Sequence, residues 1–210
     1  MWRWILVIAA VGVLGLTLWG RWQRRPYDPG PGRVAPDEPE QMDVAAGPAA
    51  IPVDDYALTP LADFRIRARV LARRRYRLGR EADLSPIDLA LGWGPMSDSA
   101  VLAKLRISQG GRHYYWSTRG YKAPIPISEI ERGSANMHLI PATPEAAKAC
   151  KAARVGQVVE FGGSLVHVKA ADGWRWQSST TRADIGAGAC ELVYVRDFRV
   201  VPPTPAAPKH

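Results

Sequence analysis

Phe64-Arg65-Ile66-Arg67-Ala68-Arg69-Val70 is the stretch that decides the fold class. Apolar and basic residues alternate with period two, so one face enters a core and the other carries three guanidinium groups. That is a half-buried β-strand. Arg73, Arg74, Arg75, Arg77 and Arg80 follow it. Further along, Gln109-Gly110-Gly111-Arg112 is a hairpin turn leading into His113-Tyr114-Tyr115-Trp116. Beyond residue 157 the chain reads almost wholly as strand, over 158–161, 164–169, 174–178 and 190–200, with turns at Gly162-Gly163 and Asp172-Gly173. Short strands at this spacing predict an α+β class: a β-rich domain, either a small antiparallel barrel or a curled sheet, with a few short helices.

Three helices are expected. Ser85-Pro86-Ile87-Asp88 combines a cap, a proline at the first helical position and an acid three residues after the cap, which predicts a helix ending by Gly92. After the turn Gly92-Trp93-Gly94-Pro95, Ser97 or Asp98 caps a second short helix to about Leu105. Pro124 and Pro126 confine the next segment to an edge or a loop. Thr143-Pro144-Glu145 starts a third helix, running to about Ala153.

At the N-terminus, residues 4–20 form an uncharged apolar run bounded by Arg3 and Arg21, with Trp2, Trp4, Trp19 and Trp22 at its ends. As a helix it is about 25 Å long, at the short end of what spans a bilayer, and indoles settle at such interfaces. The segment after it, Gly20-Arg21-Trp22-Gln23-Arg24-Arg25, has no Ala-x-Ala cleavage signature. An uncleaved anchor over residues 1–25, a transmembrane helix contacting the lipid bilayer through residues 4–20, is therefore preferred to a signal peptide. Gly12, Gly15 and Gly20 make no Gly-x-x-x-Gly pair, so this span does not suggest a dimer.

Residues 26–55 hold seven prolines, and seven acids against one base, Arg33. With no apolar period, they read as a disordered, acidic, Pro-rich linker. The body, 56–201, has 22 bases and 13 acids. It is long enough for one domain with its own core. The tail, 202–210, reads as disordered and polyproline-like.

The body resembles a family of uncharacterised bacterial single-pass membrane proteins. The resemblance rests on Leu89-Ala90-Leu91-Gly92-Trp93-Gly94-Pro95-Met96-Ser97-Asp98, Tyr114-Tyr115-Trp116, Ser134-Ala135-Asn136-Met137-His138-Leu139-Ile140-Pro141-Ala142, Asp172-Gly173-Trp174-Arg175-Trp176-Gln177-Ser178-Ser179 and Gly188-Ala189-Cys190-Glu191. It covers roughly residues 56–195 and implies an N-terminal anchor followed by a Pro-rich spacer, with no activity or site residues to carry over. It also bears on sidedness. Arg21, Arg24 and Arg25 outnumber Arg3 and favour a cytoplasmic body. An even pair of cysteines, Cys150 and Cys190, suits an exported one. The envelope-like arrangement tips the expectation to the bacterial inner membrane with a periplasmic domain.

Candidate chemistry is sparse. Ser134, Asn136 and His138 alternate along a strand and share a face, so a hydrolase-like site would use His138 with Asn136 and Asp98. A satisfied core histidine is the plainer reading. His113, His138, His167 and His210 make no metal-ligand spacing with one another or with cysteine. There is no Gly-x-Ser-x-Gly elbow, and Gly186-Ala187-Gly188 is no phosphate loop, so neither metal nor cofactor is expected. Cys190 reads as a core thiol or as half of a disulfide with Cys150. Arg65, Arg67, Arg69, Arg73, Arg74, Arg75 and Arg77 are anion-binding candidates for a lipid surface, a polymer or an envelope protein. Nucleic acid is disfavoured, because Tyr76 is the lone aromatic in that patch; it stays an alternative, through the basic patch Arg65 to Arg80, only for a cytoplasmic domain. Trp174 and Trp176, with Tyr114 and Trp116, are either a stacking groove or core. The expectation is a non-enzymatic membrane-tethered binding or scaffold module.

Overall fold

The computed structural model describes residues 15, 25–45, 47–181 and 190–203. The expected span over 4–20, apart from Gly15, the glycines at 186 and 188 and the tail beyond 203 lie outside the described residues. Among the described residues no helix is long and apolar enough to cross a membrane.

The domain is β-rich with a curled sheet and few helices. Its organiser is β3, Tyr56–Arg75, a 20-residue strand. Straight, it would run about 66 Å; instead bulges between Pro60 and Ala62 and between Val70 and Ala72 bend it. Phe64, Ile66, Ala68 and Val70 all point inward and are at most 4 % exposed. The period-two reading of this segment holds over its whole length. The first part of β3 pairs antiparallel with β8, Val158–Ala170, and the last part with β4, Ile87–Gly92. From β4 the pairing passes to β7, Ser134–Pro141, then in parallel to β10, Glu191–Val201, and from β10 back to β8. Five strands thus form a ring in the order β3-β4-β7-β10-β8. Its interior is filled by Phe64, Ile66, Leu89, Leu91, Met137, Leu139, Phe161 and their neighbours.

The helices are short. They are α1, Arg80–Leu84; α2, Ser99–Leu102; α3, Ile127–Arg132; and α4, Pro144–Ala152. In α4 the Thr143 hydroxyl accepts from the Ala146 amide at 3.2 Å, as its cap reading requires. Cys150 of α4, with Ala153 just beyond it, joins the core cluster of the ring. The predicted hairpin is β5, Leu105–Gly110, with β6, His113–Thr118, a separate two-stranded ribbon.

Three expectations fail. Residues 87–92 are strand β4, not a helix. Ile87, Leu89 and Leu91 face the ring, while Asp88 and Ala90 face outward and are also buried. A strand covered on both sides lacks the polar alternation that would have revealed it. Gly162-Gly163 is no turn: β8 runs straight through it. A Cβ on Gly163 would lie 2.0 Å from the Tyr194 carbonyl oxygen, so glycine permits close strand approach beside the β10 bulge between Val195 and Asp197.

Residues 26–55, expected as a disordered linker, lie along the domain as a strap. Tyr27 donates its amide to Val155 at 2.8 Å. Val34 and Ala35 are buried, and Ala35 bonds Ser97 and Gly94. Strands β1, Glu40–Asp43, and β2, Ile51–Val53, pair with the first part of β3. The strap needs no apolar period of its own because β3 offers a ready-made edge of backbone donors and acceptors.

Candidate functional site

Antiparallel pairing sets Asp88 of β4 opposite His138 of β7, and Ala90 opposite Asn136. Asp88, His138 and Asn136 therefore emerge together on the outer face of the ring. Ser134 lies two residues earlier on the same face. All four are buried because other segments roof them.

The first roof is the turn of the β5–β6 hairpin. Gly111 and Arg112 have φ of 57° and 67°, as a two-residue hairpin turn with both central residues left-handed requires. For arginine this conformation costs about 1–2 kcal/mol, and its surroundings over-determine it. The Arg112 amide donates to the Tyr76 hydroxyl at 3.0 Å, and its carbonyl accepts from Asn136 Nδ2 at 3.0 Å. Its guanidinium stacks 3.9 Å from the centre of the Tyr76 ring, with Trp176 at 5.5 Å. Nη1 reaches Asp88 Oδ1 at 2.7 Å and the Ser85 carbonyl at 2.9 Å. Gln109 Nε2 donates to Asn136 Oδ1 at 2.5 Å, so both ends of the Asn136 amide are engaged.

His138 completes the cluster. Its Nδ1 is 3.0 Å from Asp88 Oδ2, close enough for an ion pair but off line for a hydrogen bond. The second roof, Trp176 of β9, Arg175–Gln177, lies across its ring with centroids 4.9 Å apart. His138 is 4 % exposed and Asp88 wholly buried. Cys190 sits beside them, its thiol 3.9 Å from both Asn136 Nδ2 and the Arg112 carbonyl. Burial pushes that thiol up to about 11, with the charges of Glu191 and Asp88 adding and the Asn136 contact opposing. It is a protonated thiol at neutral pH, not a nucleophile.

His138, Asn136 and Ser134 share one face, as the alternation predicts. Asp98 is not with them: it caps α2 by accepting from the Ala100 amide at 2.8 Å, and its backbone bridges to Arg33 of the strap. Asp88 takes the place expected of Asp98, hidden because its segment reads as a helix. Arg112 was visible only as a turn residue. Cys150 and Cys190 are both free, one inside the ring under α4 and the other in the outer cluster, so the disulfide reading is corrected.

The arginine row is largely occupied with holding the fold. Arg69 is 9 % exposed and donates to the Ser97 carbonyl and the Ser99 hydroxyl. Arg67 reaches the Pro202 carbonyl and lies near Glu160. Arg73 donates to the Ala153 and Lys151 carbonyls, and Arg75 also to Lys151. Arg65, Arg74 and Arg77 remain exposed.

The aromatics divide rather than forming one groove. Tyr114 and Trp116 pack with Leu105 and Ile130 beneath the hairpin, and Tyr114 bonds Ser134 at 2.8 Å. Trp174 sits elsewhere, edge-on to Tyr56 at 5.8 Å, with the Arg80 guanidinium 5.3 Å from its ring centre. Arg80 is fixed in turn by Asp172 at 2.5 Å. Among the described residues no group of three His, Cys, Asp or Glu could hold a metal ion.

Compared with known proteins, the chain matches no family model, no curated protein and no solved structure.

Proposed function

We propose that this chain is a membrane-tethered binding module, not an enzyme, belonging with the bacterial single-pass membrane proteins that its motifs resemble. The observation that carries the reading is the closure of the outer cluster. Among the described residues, the histidine–carboxylate pair with catalytic potential, His138 and Asp88, is roofed by Trp176 and Arg112, with no open cleft at His138. A general base needs hydrogen-bond reach to a substrate proton; here both Asp88 oxygens face protein groups. The cluster instead ties three excursions of the chain to one strand face: the 76–86 connection, the hairpin turn and the β8–β10 connection.

Connection order supports the same conclusion. The ring runs first-second-third-fifth-fourth strand, with α4 between third and fourth. This is the order of an OB-fold barrel, whose second and third strands and adjoining loops hold oligomeric ligands. That is an analogy of fold alone. In this chain the corresponding rim is half-buried Trp174, Tyr56 and Arg80 with exposed Lys169 and Arg175, aromatic rings beside cations. Such a surface fits an anionic polymer.

Fluorescence anisotropy of the full chain in micelles tests this, with two labelled probes, dextran sulfate and an oligothymidylate of about 15 nucleotides. The expected result is salt-sensitive binding of the polysaccharide that Trp174→Ala weakens by about tenfold. Stronger binding of the oligonucleotide would turn the reading to nucleic acid. Binding of neither probe, or binding indifferent to Trp174, would overturn the rim.

A further inference from the structure

We infer that the α4 face is a second surface, one that docks on anionic lipid headgroups and holds the domain against the bilayer. This rests on the membrane-tethered reading. Two independent observations converge on it.

The first is where the tether is fixed. Tyr27 is bonded to Val155, and a Cβ on Gly156 would lie 1.7 Å from the Tyr27 carbonyl oxygen, so the strap is pressed directly onto this corner. Tyr27 is seven positions along the chain from Gly20, at most about 25 Å of chain. Val155 is four residues from Lys151, a further 14 Å or so at most. The corner beside α4 is therefore the part of the domain that the chain reaches first after the apolar run.

The second is the chemistry of that corner. A shallow concavity of about 550 Å³ is lined by Arg75, Pro144, Ala147, Lys148, Lys151 and Ala152. Arg75, Lys148 and Lys151 are exposed. The guanidinium groups of Arg73 and Arg75 grip the Lys151 carbonyl, which fixes the position of the α4 end among these cations. Two acids are near: Glu145, in the first turn of α4, and Asp28, whose carboxylate is turned to the Gly30 amide. The cations outnumber them. Arg21, Arg24 and Arg25 add charge between the apolar run and this face. Basic clusters immediately beside a membrane span bind anionic headgroups in this way.

Lysine acylation of the full chain tests the inference, in vesicles of phosphatidylcholine alone and of phosphatidylcholine with one-third phosphatidylglycerol. After a brief pulse of a small acylating reagent, modification is read at each lysine by mass spectrometry. Lys148 and Lys151 should react about fivefold more slowly in the anionic vesicles, and high salt should abolish the difference. Lys104 and Lys122, exposed on either side of the β5–β6 ribbon, should react equally in both. Equal reactivity of Lys148 and Lys151 would overturn the docking face. So would equal protection by inorganic phosphate with neutral vesicles, which would assign the face to a free anion. An alkaline carbonate wash separates the two readings. A chain that is washed off refutes the tether, and docking with it. A chain that stays but shows no protection refutes docking alone.

Discussion

Asp88→Asn is the sharpest probe of the outer cluster. The carboxylate is wholly buried, 2.7 Å from Arg112 and 3.0 Å from His138. The amide keeps the shape and removes the charge, leaving the Arg112 guanidinium, 18 % exposed, without its counterion. Breaking a buried pair from one side costs about 3–5 kcal/mol. The Ser85 carbonyl and the Tyr76 ring still hold Arg112, which places the cost near the lower end, about 3 kcal/mol. For a domain of this size that lowers Tm by about 6–12 °C. Circular dichroism melts and urea titrations followed by tryptophan fluorescence measure it. Because the loss is mainly an orphaned charge, the double variant Asp88→Asn with Arg112→Met should recover at least about 1 kcal/mol. High salt should change little, since the pair is shielded from solvent. A loss below about 1 kcal/mol, or a double variant no better than the single, would refute the account of the cluster as a buried electrostatic lock.

Other consequences are as direct. Gly163→Ala should cost about 3 kcal/mol or more, measured by urea denaturation, because its methyl meets the Tyr194 backbone at 2.0 Å. Both thiols should alkylate in denaturant without any reductant, since neither is bonded. Burial raises Cys190 to about 11 and Cys150 to about 12, while the unfolded thiols ionise near 9. Their contribution is therefore complete below about pH 9 and is lost as pH rises from there towards the folded values; the urea midpoint should fall between about pH 9 and 11. Arg69→Ala removes the bonds to Ser97 and Ser99, which themselves hold Ala35 and Gly30. Limited proteolysis should then cut within 28–43 faster than in the parent chain.

Legibility followed the periodicity of the chain. The alternation of residues 64–70 carried β3, and Thr143-Pro144-Glu145 carried α4, because each pattern is local and one face stays wet. Ile87–Gly92 was misread because both of its faces are covered, and a Ser-Pro-x-Asp start resembles a cap. The Gly162-Gly163 pair signals a turn in isolation; only the passage of Tyr194 alongside explains it. The strap was hidden for a related reason. Its order comes from an edge supplied by β3, far off in the sequence. At the site, His138 and Asn136 could be placed on one face from their spacing. Asp88 and Arg112 could not be joined to them, because that union needs the β4–β7 register and a left-handed arginine at a hairpin tip.

The strap also changes what the chain ahead of the domain does over time. Before folding, the thirty residues 26–55 would let the body wander up to about 100 Å from the residues that precede them. Once Tyr27 meets Val155 and β1 pairs with β3, almost all of that slack is taken up. Neither contact can form until β3 and the α4–β8 corner exist, so the leash shortens only after the body is built. Folding acts as a winch: a nascent domain has room to assemble at a distance, and a finished one is held close to the start of its strap.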